Sequence, residues 1–89
     1  MTKEEAVEKA RKDLAQRLNT DAANISEQSV EDADFPDMAL GAGEDDEMSG
    51  QMITRGWRIR LSAEGKSYEY RADKNQLRLY QHKGKNYRV

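Results

Sequence analysis

The sequence predicts a single α+β domain, in which an N-terminal amphipathic helix packs on one face of a three- to four-stranded antiparallel meander sheet (α-β-β-β-β). Apolar residues recur every three or four positions near the N-terminus and every second position between residues 57 and 79. These are the periods of a helix and of half-buried strands. The length of 89 residues suits one hydrophobic core.

The first predicted element is a helix over residues 3–19. Thr2 and Glu5 have the spacing of a capping box, in which each side chain binds the backbone amide of the other residue. Four apolar residues then repeat at helical spacing and make one stripe: Val7, Ala10, Leu14 and Leu18. A stripe this narrow needs a partner surface, so we expect it to cover the sheet.

The middle of the chain is the least regular part. A weak, acidic edge strand is predicted within residues 26–34, and Pro36 ends it because proline has no amide donor. A brief turn then tucks Leu40 into the core. Residues 41–50 contain three glycines and four consecutive acids. We expect nothing there to be buried and the segment to form a mobile acidic loop.

Three strands are predicted over residues 55–63, 66–72 and 77–81, because apolar and polar residues alternate through all three. Short turns between them set a register that brings apolar residues together on one face: Trp57 with Ala72, Ile59 with Tyr70, Leu61 with Tyr68, Ala72 with Leu77 and Tyr70 with Leu79. A one-residue slip would expose all of these side chains. For the tail after Tyr80, the sequence predicts either a frayed end or a short strand near Tyr87.

The sequence offers little material for catalysis. It has no cysteine and one histidine, His82, which stands in a basic tail. A hydrolytic triad or a zinc site is therefore not expected. The acidic run at residues 44–47 lacks the alternating ligand spacing of dedicated calcium loops. We expect no enzyme activity, no catalytic or metal-binding residues and no cofactor.

The charge is divided along the chain. Residues 1–50 carry five basic and fourteen acidic residues, a net of −9, whereas residues 51–89 carry ten and three, a net of +7. The outer face of the predicted sheet gathers the candidate binding residues Arg58, Arg60, Arg71, Arg78 and Tyr80. Two interpretations remain open. These arginines form ion pairs with the acidic loop or with the acids at 31 and 32, or they bind an anionic partner such as nucleic acid.

Four segments also carry a family resemblance: Asp13–Leu18, Pro36–Gly41, Gly56–Leu61 and Gly65–Tyr70. Their order and spacing resemble a group of small uncharacterised bacterial domains, often cyanobacterial. That group is in turn similar to PepSY-type modules, which occur in protease propeptides and as stand-alone proteins with a suspected inhibitory or partner-binding role. Relatives often have Leu-Gly-Cys-Pro where this chain has Leu40–Gly43, so the loop has diverged here.

We therefore expect a non-enzymatic protein-binding or regulatory module, with weak binding of an anion or nucleic acid as the alternative. The partner is an unknown protein, and the chain is expected to be monomeric and not to enter a membrane. A cytoplasmic location fits the sequence as given, although a mature domain cut from an exported precursor would show the same features. The candidate loop residues are Pro36, Asp37, Leu40, Glu44, Asp45, Asp46 and Glu47.

Overall fold

In the computed structural model, which describes residues 1–89, one helix is followed by a five-stranded antiparallel sheet. The elements are α1 (Lys3–Leu18), a 3-10 turn (Ala22–Asn24), β1 (Ser26–Phe35), β2 (Thr54–Ala63), β3 (Lys66–Ala72), β4 (Leu77–His82) and β5 (Lys85–Arg88). The strands lie side by side in chain order. The α+β class is confirmed. The sheet has one strand more than the upper limit of the prediction, because the tail turns back at Lys83-Gly84 and pairs with β4.

Helix α1 begins as its capping residues predict. Thr2 Oγ1 accepts from the amide of Glu5 at 3.2 Å, and the amide of Thr2 donates to Glu5 Oε1 at 2.7 Å. The helix ends at Asn19, which adopts the left-handed conformation with φ 54°. Its buried stripe packs on one sheet face in a core cluster of thirteen residues: Ala6, Val7, Ala10, Leu14, Ala15, Ile25, Ile59, Leu61, Ala63, Tyr70, Ala72, Leu77 and Leu79.

A buried tyrosine joins this helix to the sheet. The hydroxyl of Tyr70 donates to Asp13 Oδ2 at 2.7 Å, and Arg17 Nε donates to the same oxygen at 2.7 Å. Burial, together with the bond to Asp13, raises the pKa of Tyr70 above its usual range. The phenol therefore remains a neutral donor, and the side chain contributes both packing and a polar tie between helix and sheet.

The central strands have the register that the alternation predicts. Ile59 lies opposite Tyr70, and Tyr70 lies opposite Leu79. Trp57 is on the expected face and opposite Ala72, but it is only half-buried. It lines a depression at the end of the sheet and so contributes less to the core than the sequence led us to expect.

Strand β1 is a full ten-residue edge strand, longer than the sequence predicts. A β-bulge between Glu27 and Ser29 shifts its register against β2. Because of that shift, Ile25 and Val30 both contact the core beneath α1, although strict alternation assigns them to opposite faces. Phe35, beyond the bulge, is buried on the opposite face of the sheet, where the guanidinium groups of Arg58 and Arg71 lie over its ring.

The expectation that nothing between residues 41 and 50 is buried is wrong. The segment of residues 36–53, which we call the covering loop, lies over the sheet face opposite to α1. Ala39, Leu40 and Ala42 are buried there, outside the core cluster of the helix side. Leu40 therefore enters a second apolar layer, not the main core. The molecule therefore has three layers, which are the helix, the sheet and the covering loop.

Two glycines provide a matched test of packing between strands. A Cβ at Gly56 would lie 2.1 Å from the carbonyl oxygen of Ala72, which is backbone and cannot rotate away, whereas a Cβ at Gly43 would meet nothing closer than 3.7 Å. We expect Gly56→Ala to lower the free energy of unfolding by about 3 kcal/mol. Gly43→Ala should change it by less than about 0.5 kcal/mol. Urea unfolding followed by tryptophan fluorescence measures both, and equal effects of the two substitutions would contradict the close approach of β2 and β3.

Candidate binding surfaces

The outer sheet face is occupied by the covering loop, and Arg78 is its most buried cation. Its side chain is 6% exposed and that of Glu47 is 13% exposed. Two nitrogens of Arg78 donate to the two carboxylate oxygens of Glu47 at 2.6 and 2.7 Å, and Nε donates to Gln76 Oε1 at 2.8 Å. This is the paired-fork geometry that makes arginine–carboxylate contacts strong.

The pKa of Glu47 shows the strength of that environment. Hydrogen bonds from Arg78, and then from the backbone amide of Glu44, lower the pKa of Glu47 from 4.5 to about 2. The carboxylate is therefore charged at neutral pH, and it holds the covering loop on β4.

Arg71 makes a second attachment. Its Nη1 donates to the carbonyl oxygens of Leu40 at 3.0 Å and Gly41 at 3.4 Å, while Nε donates to Glu69 at 2.8 Å. The guanidinium carbon lies 3.6 Å from the ring centroid of Tyr80 and 5.2 Å from that of Phe35. Tyr80 therefore stacks on an arginine of its own sheet and presents no free ring for a base.

The two remaining arginines of the candidate face are also paired. Arg58 lies 3.3 Å from Glu69 and 3.5 Å from Glu31, and Arg60 lies 3.6 Å from Glu69. These contacts match the ion-pair interpretation of the face. The nucleic-acid alternative depends on an uncovered row of cations, and only Arg60 remains largely open to solvent.

The candidate loop residues divide into structural and exposed ones. Asp37 Oδ1 accepts from the amides of Ala39 at 2.9 Å and Gly41 at 3.0 Å, which fixes the turn that inserts Leu40. Glu44 pairs with Arg88 at 3.0 Å. Pro36 and the two acids between Glu44 and Glu47 are exposed: Asp45 and Asp46.

An apolar surface lies at the other end of the sheet. Met38, Met52 and Ile53 are 50%, 65% and 73% exposed. Together with the half-buried Trp57 they line an open depression of about 590 Å³, whose polar rim includes Asp32 and the turn between β3 and β4. We call this the apolar depression. The sequence analysis did not single it out, because Arg55 interrupts the apolar alternation between Trp57 and Ile53 and because Met38 and Met52 lie outside the strands.

A groove runs between α1 and the edge strand β1. Val7 and Val30 form its apolar floor, and three carboxylates line it: Glu4, Glu8 and Glu27. Lys3 and Arg11 line it as well, but both are engaged within the chain. Lys3 pairs with Asp32 at 3.2 Å, and Arg11 donates to the carbonyl oxygen of Ile25 and lies 3.6 Å from Glu8.

His82 lies between two tyrosine rings. Its ring centroid is 5.9 Å from that of Tyr68 and 6.0 Å from that of Tyr87. Burial, and then the charges of Lys83 and Arg17, lower the pKa of His82 below its usual value of 6.5. The imidazole is thus neutral near pH 7 and packs as an aromatic side chain.

Elsewhere, no group of three or more acidic or histidine side chains is placed to hold a metal ion. The single helix of the chain is neither long nor apolar enough to cross a bilayer.

Comparison with known proteins gives one match. The model of a family described as a domain of unknown function, DUF8738, matches residues 7–80. No curated protein and no solved structure matches the chain. The matched range runs from Val7 in α1 to Tyr80 in β4. It includes the covering loop, the residues that line the apolar depression and all of those that line the groove except Lys3 and Glu4.

Removal of the Glu47 carboxylate should detach the covering loop. Glu47→Ala leaves the buried guanidinium of Arg78 without a counter-charge, and we expect the free energy of unfolding to fall by about 3 kcal/mol at pH 7. Asp46→Ala is the control, because Asp46 is exposed and makes no ion pair. It should change stability by less than about 0.5 kcal/mol.

The same pair has a defined pH dependence. Because the folded-state pKa of Glu47, about 2, lies below its usual 4.5, its stabilisation is complete above pH 4.5 and is lost as the pH falls from there toward 2. The stability difference between the wild type and Glu47→Ala should therefore shrink across this window in urea unfolding. A difference that stays constant down to pH 2 would contradict the ion pair.

Proposed function

The chain belongs to the DUF8738 family, and from this premise and the surfaces described above we propose that it is a non-enzymatic protein-binding module whose partner docks on the apolar depression. The observation that carries the proposal is the exposure of three large apolar side chains beside Trp57: Met38, Met52 and Ile53. Clusters of exposed apolar side chains with a polar rim are typical of protein interaction sites.

The contrast with the rest of the chain strengthens this proposal. Mean hydropathy is −1.08, so apolar side chains are scarce in this chain. Those that lie outside the depression are largely buried in the two cores. Burying apolar surface releases about 25 cal/mol per Å². A partner that covered these three side chains and Trp57 would therefore gain much of its binding energy at one place, as interface hot spots do.

The chemistry of the depression suits a protein surface. Methionine side chains are unbranched and polarisable, and they adapt to different apolar neighbours. The tryptophan supplies a large flat contact at low entropic cost. By contrast, the loop and the arginine face, which the sequence analysis offered as docking sites, are bound to each other through Arg71 and Arg78.

The resemblance to PepSY-type modules belongs to this proposal as a supporting argument. Such modules occur in protease propeptides and as stand-alone proteins, where an inhibitory or partner-binding role is suspected. In the same way we propose that the chain acts as a monomer that engages a different protein, with neither a cofactor nor a nucleic acid taking part.

The test is photo-cross-linking in the native host with a photoreactive amino acid at position 53. We expect one partner to be captured reproducibly, and the double variant Met52→Ser/Ile53→Ser, assayed by affinity capture, to retain about tenfold less of it. Met48→Ser is the matched control, since Met48 is 97% exposed but lies outside the depression. It should retain the partner fully.

Two results would contradict the proposal. The first is full retention of the captured protein by the double variant, and the second is an equal loss with Met48→Ser. Since the substituted side chains are all exposed, the free energy of unfolding of each variant should lie within about 0.5 kcal/mol of the wild-type value. Thermal unfolding checks this, and unchanged stability shows that a lost partner reflects lost contact.

A further inference from the structure

The geometry points to a defined mode of binding: we infer that edge strand β1 pairs with an extended, lysine- or arginine-rich segment of the partner, which adds a sixth strand to the sheet. This inference rests on the proposed function and specifies the chemistry of the partner. It is carried by the open edge of β1, the groove beside α1 and the charges that line both.

The first step is the open edge. β1 lies at the end of the sheet and pairs only with β2. Its ten residues span about 33 Å, and along the other side alternate residues present backbone N–H and C=O groups to solvent. Such an edge is a template for an added strand. The opposite edge, β5, has four residues and pairs irregularly with β4, so it offers a poorer template.

The second step is the groove. Successive side chains of an added strand point to opposite faces of the sheet, so every second side chain of the partner would enter the groove between α1 and β1. Its floor is apolar at Val7 and Val30. Small branched side chains such as valine would fit there and extend the helix-covered core by one strand.

The third step is charge. β1 carries four acids and no basic residue: Glu27, Glu31, Asp32 and Asp34. Glu4 of α1 lines the groove next to them, and neither Glu4 nor Glu27 forms an ion pair within the chain. A second copy of β1 would bring carboxylate against carboxylate, which is unfavourable between paired strands. Glu31, Asp32 and Asp34 already pair with Arg58, Lys3 and Arg55. A segment rich in lysine or arginine would therefore find its unpaired counter-charges at Glu4 and Glu27, beside the groove.

The fourth step is continuity with the apolar depression. Asp32 lines the rim of the depression, and Lys3, which pairs with it, lines the groove. A segment lying along β1 therefore runs directly into the depression. One partner could occupy both sites, with strand pairing at the edge and apolar contact at Ile53.

The test uses the full chain and a fluorescent peptide of alternating lysine and valine as the probe. We expect it to bind at low salt about tenfold more tightly than a peptide of alternating glutamate and valine, and to weaken as salt is added. Amide hydrogen exchange, followed by NMR, should slow at alternate residues within β1. A lysine–valine peptide carrying proline at every third position should lose binding, because proline cannot complete the backbone pairing.

Charge-reversal variants separate the edge from general acidity. Glu4→Lys/Glu27→Lys should weaken binding of the lysine–valine peptide about tenfold. Asp45→Lys/Asp46→Lys makes the same change in net charge at exposed positions of the covering loop, and it should leave the affinity nearly unchanged. Equal weakening by the two pairs would overturn the inference.

Three further outcomes would also overturn it: no binding of the lysine–valine peptide at low salt, binding without slowed exchange in β1, or a molecular mass that doubles with concentration, since a second copy would then occupy the edge. This test is independent of the test of the proposed function. Met52→Ser/Ile53→Ser should still bind the peptide, so failure of the partner-capture experiment would not contradict strand pairing at β1. Failure of the peptide to bind would in turn not contradict docking at the apolar depression.

Discussion

The pairing of Arg78 with Glu47 is the interaction on which the outer half of the structure depends. A guanidinium that is almost wholly buried needs both a counter-charge and acceptors for its donors. Gln76 accepts from Nε, and the covering loop supplies the counter-charge and the remaining acceptors. Glu47 provides two carboxylate oxygens, and the carbonyl of Ala42 lies at 3.4 Å. The covering loop must therefore lie on the sheet for the arginine to be buried at all, and once it lies there Leu40 closes the apolar layer beneath it.

This constraint divides the acidic residues into two groups with different roles. Glu44 and Glu47 of the covering loop, with Glu31 and Glu69, pair with cations of the outer sheet face. On the other face, Asp32 and Asp34 of β1 pair with Lys3 and Arg55, whereas Glu4 and Glu27 line the apolar groove without an ion pair. Much of the charge of the acidic first half and the basic second half is thus used in ion pairs within the chain, and the unpaired acids of the groove lie beside β1.

The sequence specifies the central hairpins well, because their information is local. Alternation from Trp57 to Leu79 and short turns fix both register and facing, and a capping box fixes the start of α1. Two features depend on contacts between distant residues and were not predictable in this way. The bulge after Glu27 breaks the period of β1, and the covering loop is held by residues some thirty positions away. Strand β5 is the short strand near Tyr87 that the sequence left as one of two alternatives for the tail. The same dependence on distant contacts holds for the candidate site. Strand alternation predicts that the arginines share the outer face of the sheet, but the covering loop that lies over them is distant in the sequence.

The segments that carry the family resemblance turn out to be the ones that build this scaffold. In Pro36–Gly41, Asp37 fixes the turn, Leu40 adopts φ 61° to enter the second core, and Gly41 leaves room for Arg71, whose Nη1 would lie 2.8 Å from a Cβ there. In Gly56–Leu61, the glycine permits close approach of β3. Two of the segments also supply Met38 and Trp57 to the apolar depression, whereas Val30, Met52 and Ile53 lie outside all four. The same segments therefore build the three-layer architecture and part of the surface proposed for binding, and residues between the segments complete that surface.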